Sequence, residues 1–272
     1  MVRECLVLAH SEDDKTSGLL VECVKALKEQ GFRVIVTDHF INEEAYELAD
    51  AYVYNYENPI LRPEQYSEYN LNHITERNVD GYKVWNPVTT FAAYAIIDMI
   101  KGAYDAIKTD KCLILNYDWQ IKGNIDEYFN YDTDGVFFKY ADDSSYYTSI
   151  FIANKKLLRE LNAINSIEDY ATNLKYLEWF IYDLYKDKNI TVLDSPPLDR
   201  FNHDMNYRVS NVKINKKFYK TDDNKAIFIN DDKIEEYTLH NKYRIFDGDK
   251  ELLFNLGEEY FKYHIAQKHF FK

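Results

Sequence analysis

Cys5-Leu6-Val7-Leu8-Ala9 is a short apolar run of strand type. Leu19, Leu20, Val24 and Leu27 follow it at helical spacing, and Gly31 stands where such a helix would end. Arg33-Val34-Ile35-Val36-Thr37 is a second, β-branched run. A short helix over 43–48 leads from it into Ala51-Tyr52-Val53-Tyr54. Strand, helix, strand, helix, strand is the pattern of a parallel sheet with covering helices, because each crossover must bury an apolar helix face on the sheet.

Beyond this opening the rhythm breaks. Residues 56–87 are polar and aromatic and carry Pro59, Pro63 and Pro87. A connection of this length in a compact domain is commonly a lid or a binding segment. A helical pattern returns over 89–108, with Phe91, Ala95, Ile96, Met99, Ile100 and Ala103 on one face. Lys111 to Leu115 reads as a core strand, followed by strands at 135–138 and 147–153. Helices are expected over 155–161 and 167–186, and a short strand over 190–193. After Ser195-Pro196-Pro197 the apolar runs shorten and turn chemistry separates them, with Asn230-Asp231-Asp232 and Asp247-Gly248. The expected organisation is an α/β domain over 1–208 and a small antiparallel β appendage over 209–272, closed by a helix over 258–271.

Composition sets limits on function. Of 272 residues 46% are hydrophobic and 29% charged, enough apolar material to bury a sizeable core. The 33 Lys and Arg against 46 Asp and Glu leave a net charge of −13. A duplex-binding surface works by releasing counterions from phosphates, so no nucleic-acid partner is expected. The same field repels an anionic substrate unless a local cation offsets it. The longest apolar runs fall short of the roughly 18 to 20 residues of a membrane span. Met1-Val2-Arg3-Glu4-Cys5 lacks the basic region and small-residue site of a signal peptide, so a soluble cytoplasmic protein is expected. Cys5, Cys23 and Cys112 are far apart and form no C-x-x-C pair, as expected of small buried hydrophobes in a reducing compartment. The 25 tyrosines fit an AT-rich coding genome, as in a virus or a low-GC microbe.

In an open α/β sheet, ligands bind outside the carboxyl ends of the parallel strands. The residues there are His10-Ser11-Glu12, Asp38-His39, Asn55-Tyr56-Glu57 and Asn116-Tyr117-Asp118, all polar. The first connection, 10–18, has one glycine and three acids. It is neither G-x-G-x-x-G nor G-x-x-x-x-G-K-[ST], which argues against a Rossmann dehydrogenase or a P-loop enzyme. No G-x-S-x-G elbow occurs either.

Asn116-Tyr117-Asp118, at the end of a hydrophobic strand that follows a long helix, resembles the D-x-D position of GT-A glycosyltransferases. Other segments extend the resemblance over roughly residues 3–205. Tyr54 to Leu61 is similar to glycosyltransferase-like proteins of marine phages and giant viruses. Tyr147 to Ile152 resembles an acceptor-side loop, and Leu177-Glu178-Trp179 resembles the x-E-D segment. The resemblance implies a GT-A-like, Rossmann-like sheet and transfer of a sugar from a nucleoside diphosphate sugar to a hydroxyl acceptor. It further implies donor contacts from His10, Asp38, His39, Asn116, Tyr117 and Asp118. Acceptor-side contacts would come from Ser149 and Trp179, and Glu178 would be the catalytic base with Asp118 beside it in the catalytic set. A divalent cation, Mn²⁺ or Mg²⁺, would be held by Asp118 and His203 to offset the diphosphate charge. Asn116 replaces the first Asp of D-x-D, and Trp179 replaces the Asp of x-E-D. These departures leave two rivals: a non-catalytic carbohydrate-binding or assembly protein on a decayed transferase fold, and a sugar nucleotidyltransferase. The acidic 11–14 run argues against the second. A strand edge exposed on the appendage would favour a homo-oligomer.

Overall fold

The computed structural model describes residues 2–11, 14–40, 42–55, 87–164, 170 and 177–200. It also describes short backbone strands at 78–79, 82–83, 217–220, 226–230, 233–237, 242–247 and 250–255. The expected terminal helix and His203 lie outside the described residues.

The opening stretch forms β1 (Arg3–Ala9), α1 (Asp14–Glu29), β2 (Phe32–Asp38), α2 (Glu43–Leu48) and β3 (Ala51–Asn55). Helix α1 buries Leu20, Val21, Val24 and Leu27 and carries Asp14 in its first turn and Lys28 in its last, both favourable to the helix dipole. It ends at Gly31, whose φ of +79° is a conformation that costs a glycine least. The Asn42 side chain accepts a hydrogen bond from the Ala45 N–H and caps α2.

The remaining elements are β4 (Asn78–Val79), β5 (Tyr82–Lys83), α3 (Pro87–Ala103), β6 (Lys111–Asn116), β7 (Trp119–Ile121), α4 (Asp126–Phe129), β8 (Gly135–Phe138), β9 (Ile150–Asn154), α5 (Lys155–Glu160), α6 (Leu177–Tyr185), β10 (Ile190–Leu193) and β11 (Leu198–Arg200). They are followed by β12 (Lys217–Lys220), β13 (Ala226–Asn230), β14 (Lys233–Tyr237), β15 (Lys242–Asp247) and β16 (Lys250–Asn255). The expected strand at 147–153 begins only at Ile150, because Tyr147 and Ser149 bond to Phe138 and Asn116 one group at a time.

The main sheet runs β10-β8-β9-β6-β1-β2-β3-β16-β15. Strands β1, β2, β3 and β6 are mutually parallel neighbours, and β9 is antiparallel to both β6 and β8. This is the expected mainly parallel α/β sheet flanked by helices. Strand β16 pairs in parallel with β3, and β15 closes the order as an antiparallel partner of β16. Strands β12 to β14 form a separate antiparallel sheet, and β7 pairs with β11.

Alternation along the strands feeds two cores, one on each face. Cys5, Val7 and Ala9 of β1 join α1 residues in the first. Leu6 and Leu8 join Ala93, Ile97, Ile100 and Ala103 of α3 in the second, with Phe180, Ile181 and Tyr185 of α6. All three cysteines are free and buried, and burial pushes each thiol well above its ordinary range. Among the described residues no helix is long and apolar enough to cross a membrane.

Candidate functional site

Strands β1 and β6 are neighbours, yet the chain leaves them in opposite directions. From β1 it passes through α1, on the first core, to β2. It reaches β6 through α3, on the second core, and then leaves towards β8. Open α/β sheets bind ligands outside the carboxyl ends of strands at such a divergence. The register sets Leu8 beside Asn116 and Ala9 beside Asp38. The Tyr117 N–H donates to the Leu8 carbonyl at 3.1 Å, and the Asn116 N–H to the Ser149 carbonyl at 2.9 Å. His10, Asp38, His39, Asn116, Tyr117, Asp118 and Ser149 are therefore brought to one sheet edge.

The histidines form a pair. His10 Nδ1 and His39 Nδ1 lie 3.2 Å apart, so one ring donates and the other accepts. Their planes meet edge-on, and Phe40 packs edge-on against His10. His39 is 4% exposed, and burial, reinforced by His10, lowers its pKa to about 3. It is a neutral ring at physiological pH. Its Nε2 and the Asn116 Oδ1 are buried and have no hydrogen-bond partner among the described residues.

Asp38 is engaged within the protein. Its Oδ1 accepts from the backbone N–H groups of Ser11 and Phe40, each at 3.1 Å. Its Oδ2 accepts from the Ser11 hydroxyl and, at 3.1 Å, from the Tyr52 hydroxyl. Burial raises this fully enclosed carboxyl above its ordinary range while those bonds pull it down. Asp118 follows β6 close enough to the Cys23 thiol to add to the raising of its pKa. Among the described residues no three His, Cys, Asp or Glu side chains are arranged to hold a metal ion. His203, the other expected ligand, lies outside the described residues.

Glu178 stands in the first turn of α6. Burial raises its carboxyl above the usual range, and a hydrogen bond from the Thr148 side chain draws it back. Its carbonyl accepts from the Tyr146 N–H at 3.2 Å. Thr148 adjoins Ser149, which is bonded to Asn116, so Glu178 and the end of β6 are tied through two successive residues. Trp179 meets Tyr140 edge-on at 6.3 Å, and Tyr140 meets Tyr147 at 5.1 Å. Tyr140 is 48% exposed. Sequence reasoning missed Thr148 as the partner of Glu178 and Tyr52 as the partner of Asp38; neither stands at a strand end.

No family model matches the chain, and no curated protein matches it. Solved structures do. A galactosyltransferase, LgtC, in complex with donor and acceptor sugar analogs is 14% identical, over 70% of this chain and 72% of that one, with a TM-score of 0.41. A glycosyltransferase involved in glycosylation of the major capsid of PBCV-1 is 10% identical, over 71% and 81%, with a TM-score of 0.43. A putative glucose-1-phosphate thymidylyltransferase from Bacillus anthracis, in complex with a sucrose, is 9% identical, over 74% and 89%, with a TM-score of 0.38.

Proposed function

We propose that the chain is a GT-A-like glycosyltransferase that moves a sugar from a nucleoside diphosphate donor to a hydroxyl acceptor. The observation that supports this reading is the pair of buried, unpartnered polar atoms, His39 Nε2 and Asn116 Oδ1, at the diverging carboxyl ends of the sheet. Buried polar atoms are nearly always hydrogen-bonded, and leaving one unmet costs about 1–3 kcal/mol. A ligand donor would satisfy Asn116 Oδ1, and a ligand donor or acceptor, according to the tautomer of the histidine pair, would satisfy His39 Nε2. A nucleoside has such groups on its base and ribose.

In this reading His10, His39, Asn116 and Tyr117 bind the donor, while Asp38 holds the loops that carry the histidines. Glu178, a carboxylate made more basic by burial, takes the proton of the acceptor hydroxyl as its oxygen bonds to the anomeric carbon. The bond from that carbon to the diphosphate breaks in the same step, which makes the transfer inverting. Ser149 and Trp179 flank the acceptor. A divalent cation on Asp118 and His203 belongs to the proposal, and its chemistry would be to offset charge on the leaving diphosphate. The described residues do not assemble a site for it.

The test is thermal unfolding with UDP, GDP, CDP and dTDP, each with and without manganese. A ligand that binds only the folded state stabilises it by about 2.7 kcal/mol at a hundredfold excess over its Kd, a shift of a few degrees. A shift with one nucleotide that Asn116→Ala abolishes is expected. No shift with any of the four refutes the reading. Pyrophosphate release from a sugar phosphate and a nucleoside triphosphate would assign the chain to nucleotidyl transfer instead.

A further inference from the structure

Asp38 belongs to a closed circuit. The Ser11 N–H and hydroxyl donate to Asp38, and the Tyr52 hydroxyl, 3.1 Å from both Asp38 Oδ2 and the Phe40 carbonyl, shares its one proton between them. The Tyr52 oxygen accepts the Asn42 N–H at 3.1 Å. The Asn42 amide donates to the Ser17 carbonyl at 3.3 Å, and the Ser17 hydroxyl returns to the Ser11 carbonyl at 3.3 Å. The five residues come from the end of β1, from α1, from the end of β2, from the cap of α2 and from β3. Each is at most 2% exposed.

We propose that this buried ring is a positioning device for the His10–His39 pair, with the Tyr52 hydroxyl as its keystone. The use assigned to the pair rests on the transferase reading; the positioning itself does not. A carboxylate has about four acceptor sites. Ser11 N, Ser11 Oγ, Phe40 N and Tyr52 Oη occupy the four at Asp38, the last sharing its proton with the Phe40 carbonyl, and all four donors are uncharged. A ligand hydroxyl could bond Asp38 only by opening the ring, so recognition passes to the neighbours that Asp38 immobilises. Its Oδ1 clamps Ser11, next to His10, and Phe40, next to His39. Tyr52 is the one member supplied by β3, and its single hydroxyl both feeds Asp38 and receives the loop before α2. Without it, Asp38 Oδ2 and the Asn42 N–H each lose a partner in a buried setting, where an unmet group is costly.

The experiment compares the full-length wild type with Tyr52→Phe, which keeps the ring packing and removes one oxygen. Histidine side-chain ¹H–¹⁵N spectra report whether Nδ1 of one ring is bonded to Nδ1 of the other. In the wild type one Nδ1 should carry the signature of an acceptor and its partner that of a bonded donor, and Tyr52→Phe should lose both. The Kd for whichever nucleoside diphosphate the wild type binds should weaken by about tenfold, the effect of one well-placed hydrogen bond. Histidine spectra that superimpose in the two proteins overturn the positioning role, whatever the nucleotide does. A wild type that binds none of the nucleotides sinks the transferase reading alone, because the spectra still decide the ring. If Tyr52→Phe does not fold, Ser11→Ala removes one donor from the same carboxylate and is read in the same way.

Discussion

Acidification should loosen this protein through one residue. His39 is neutral in the fold because burial and His10 lower its pKa from 6.5 to about 3, while the unfolded chain titrates near the ordinary value. A depressed pKa contributes stability that is present above the unfolded value and is lost as the pH falls towards the folded one, since the unfolded chain then binds the extra proton. A tenfold difference in proton affinity between fold and unfolded chain is worth about 1.36 kcal/mol, so the full contribution is on the order of 4 to 5 kcal/mol. Between pH 7.5 and 4.5 roughly 2 to 3 kcal/mol of it should disappear. Asp38, raised by burial, works in the opposite sense, because acid favours its protonated form in the fold. The comparison therefore uses His39→Gln, which keeps Asp38 and removes only the titration at 39. Urea unfolding at both pH values, read as the change in midpoint at constant slope, gives the loss for each protein. The wild type should lose roughly 2 to 3 kcal/mol more than the variant. Equal losses would refute the assignment of a buried, neutral His39.

Two further outcomes follow from particular contacts. Gly135 lies in β8 where an added Cβ would stand 2.8 Å from the Ile152 carbonyl oxygen and 2.8 Å from Leu157 Cδ1. The backbone oxygen cannot step aside, so Gly135→Ala should cost about 1–3 kcal/mol, seen as a lower Tm. Thr148→Val removes the hydrogen bond that draws the Glu178 carboxyl down, so its pKa should rise further. If Glu178 is the base, the acid limb of the kcat profile should move to higher pH, and an unmoved limb would remove Glu178 from that role.

The sheet was readable where one element declares itself locally. Cys5 to Ala9, Arg33 to Thr37 and Ala51 to Tyr54 are apolar runs flanked by a helix stripe and by turn residues, and they form β1, β2 and β3 as expected. Gly135 to Phe138 and Ile190 to Leu193 likewise match their strands. Pairings between distant segments were not readable. Trp119-Gln120-Ile121 is too short to show a period, and it becomes β7 only by meeting 198–200. At the site, strand ends pointed to His10, His39 and Asn116 because chain direction alone sends them to one edge. The same logic offered Asp38 as a ligand contact. Whether a carboxylate faces solvent or a ring of donors depends here on Tyr52, which arrives from another element and reads by itself as a core residue.

The docking of β16 on β3 bears on how this chain can be handled in pieces. Ala51 to Asn55 finds its outer hydrogen-bond partners in Glu251 to Asn255, some two hundred residues later. A protein cut back to its first two hundred residues would present the amide and carbonyl row of β3 to solvent. An unpaired row of that kind recruits strands from other molecules. Shortened versions are therefore expected to self-associate in proportion to concentration even when their α/β core is intact, and the last strands serve the molecule as its guard against its own copies.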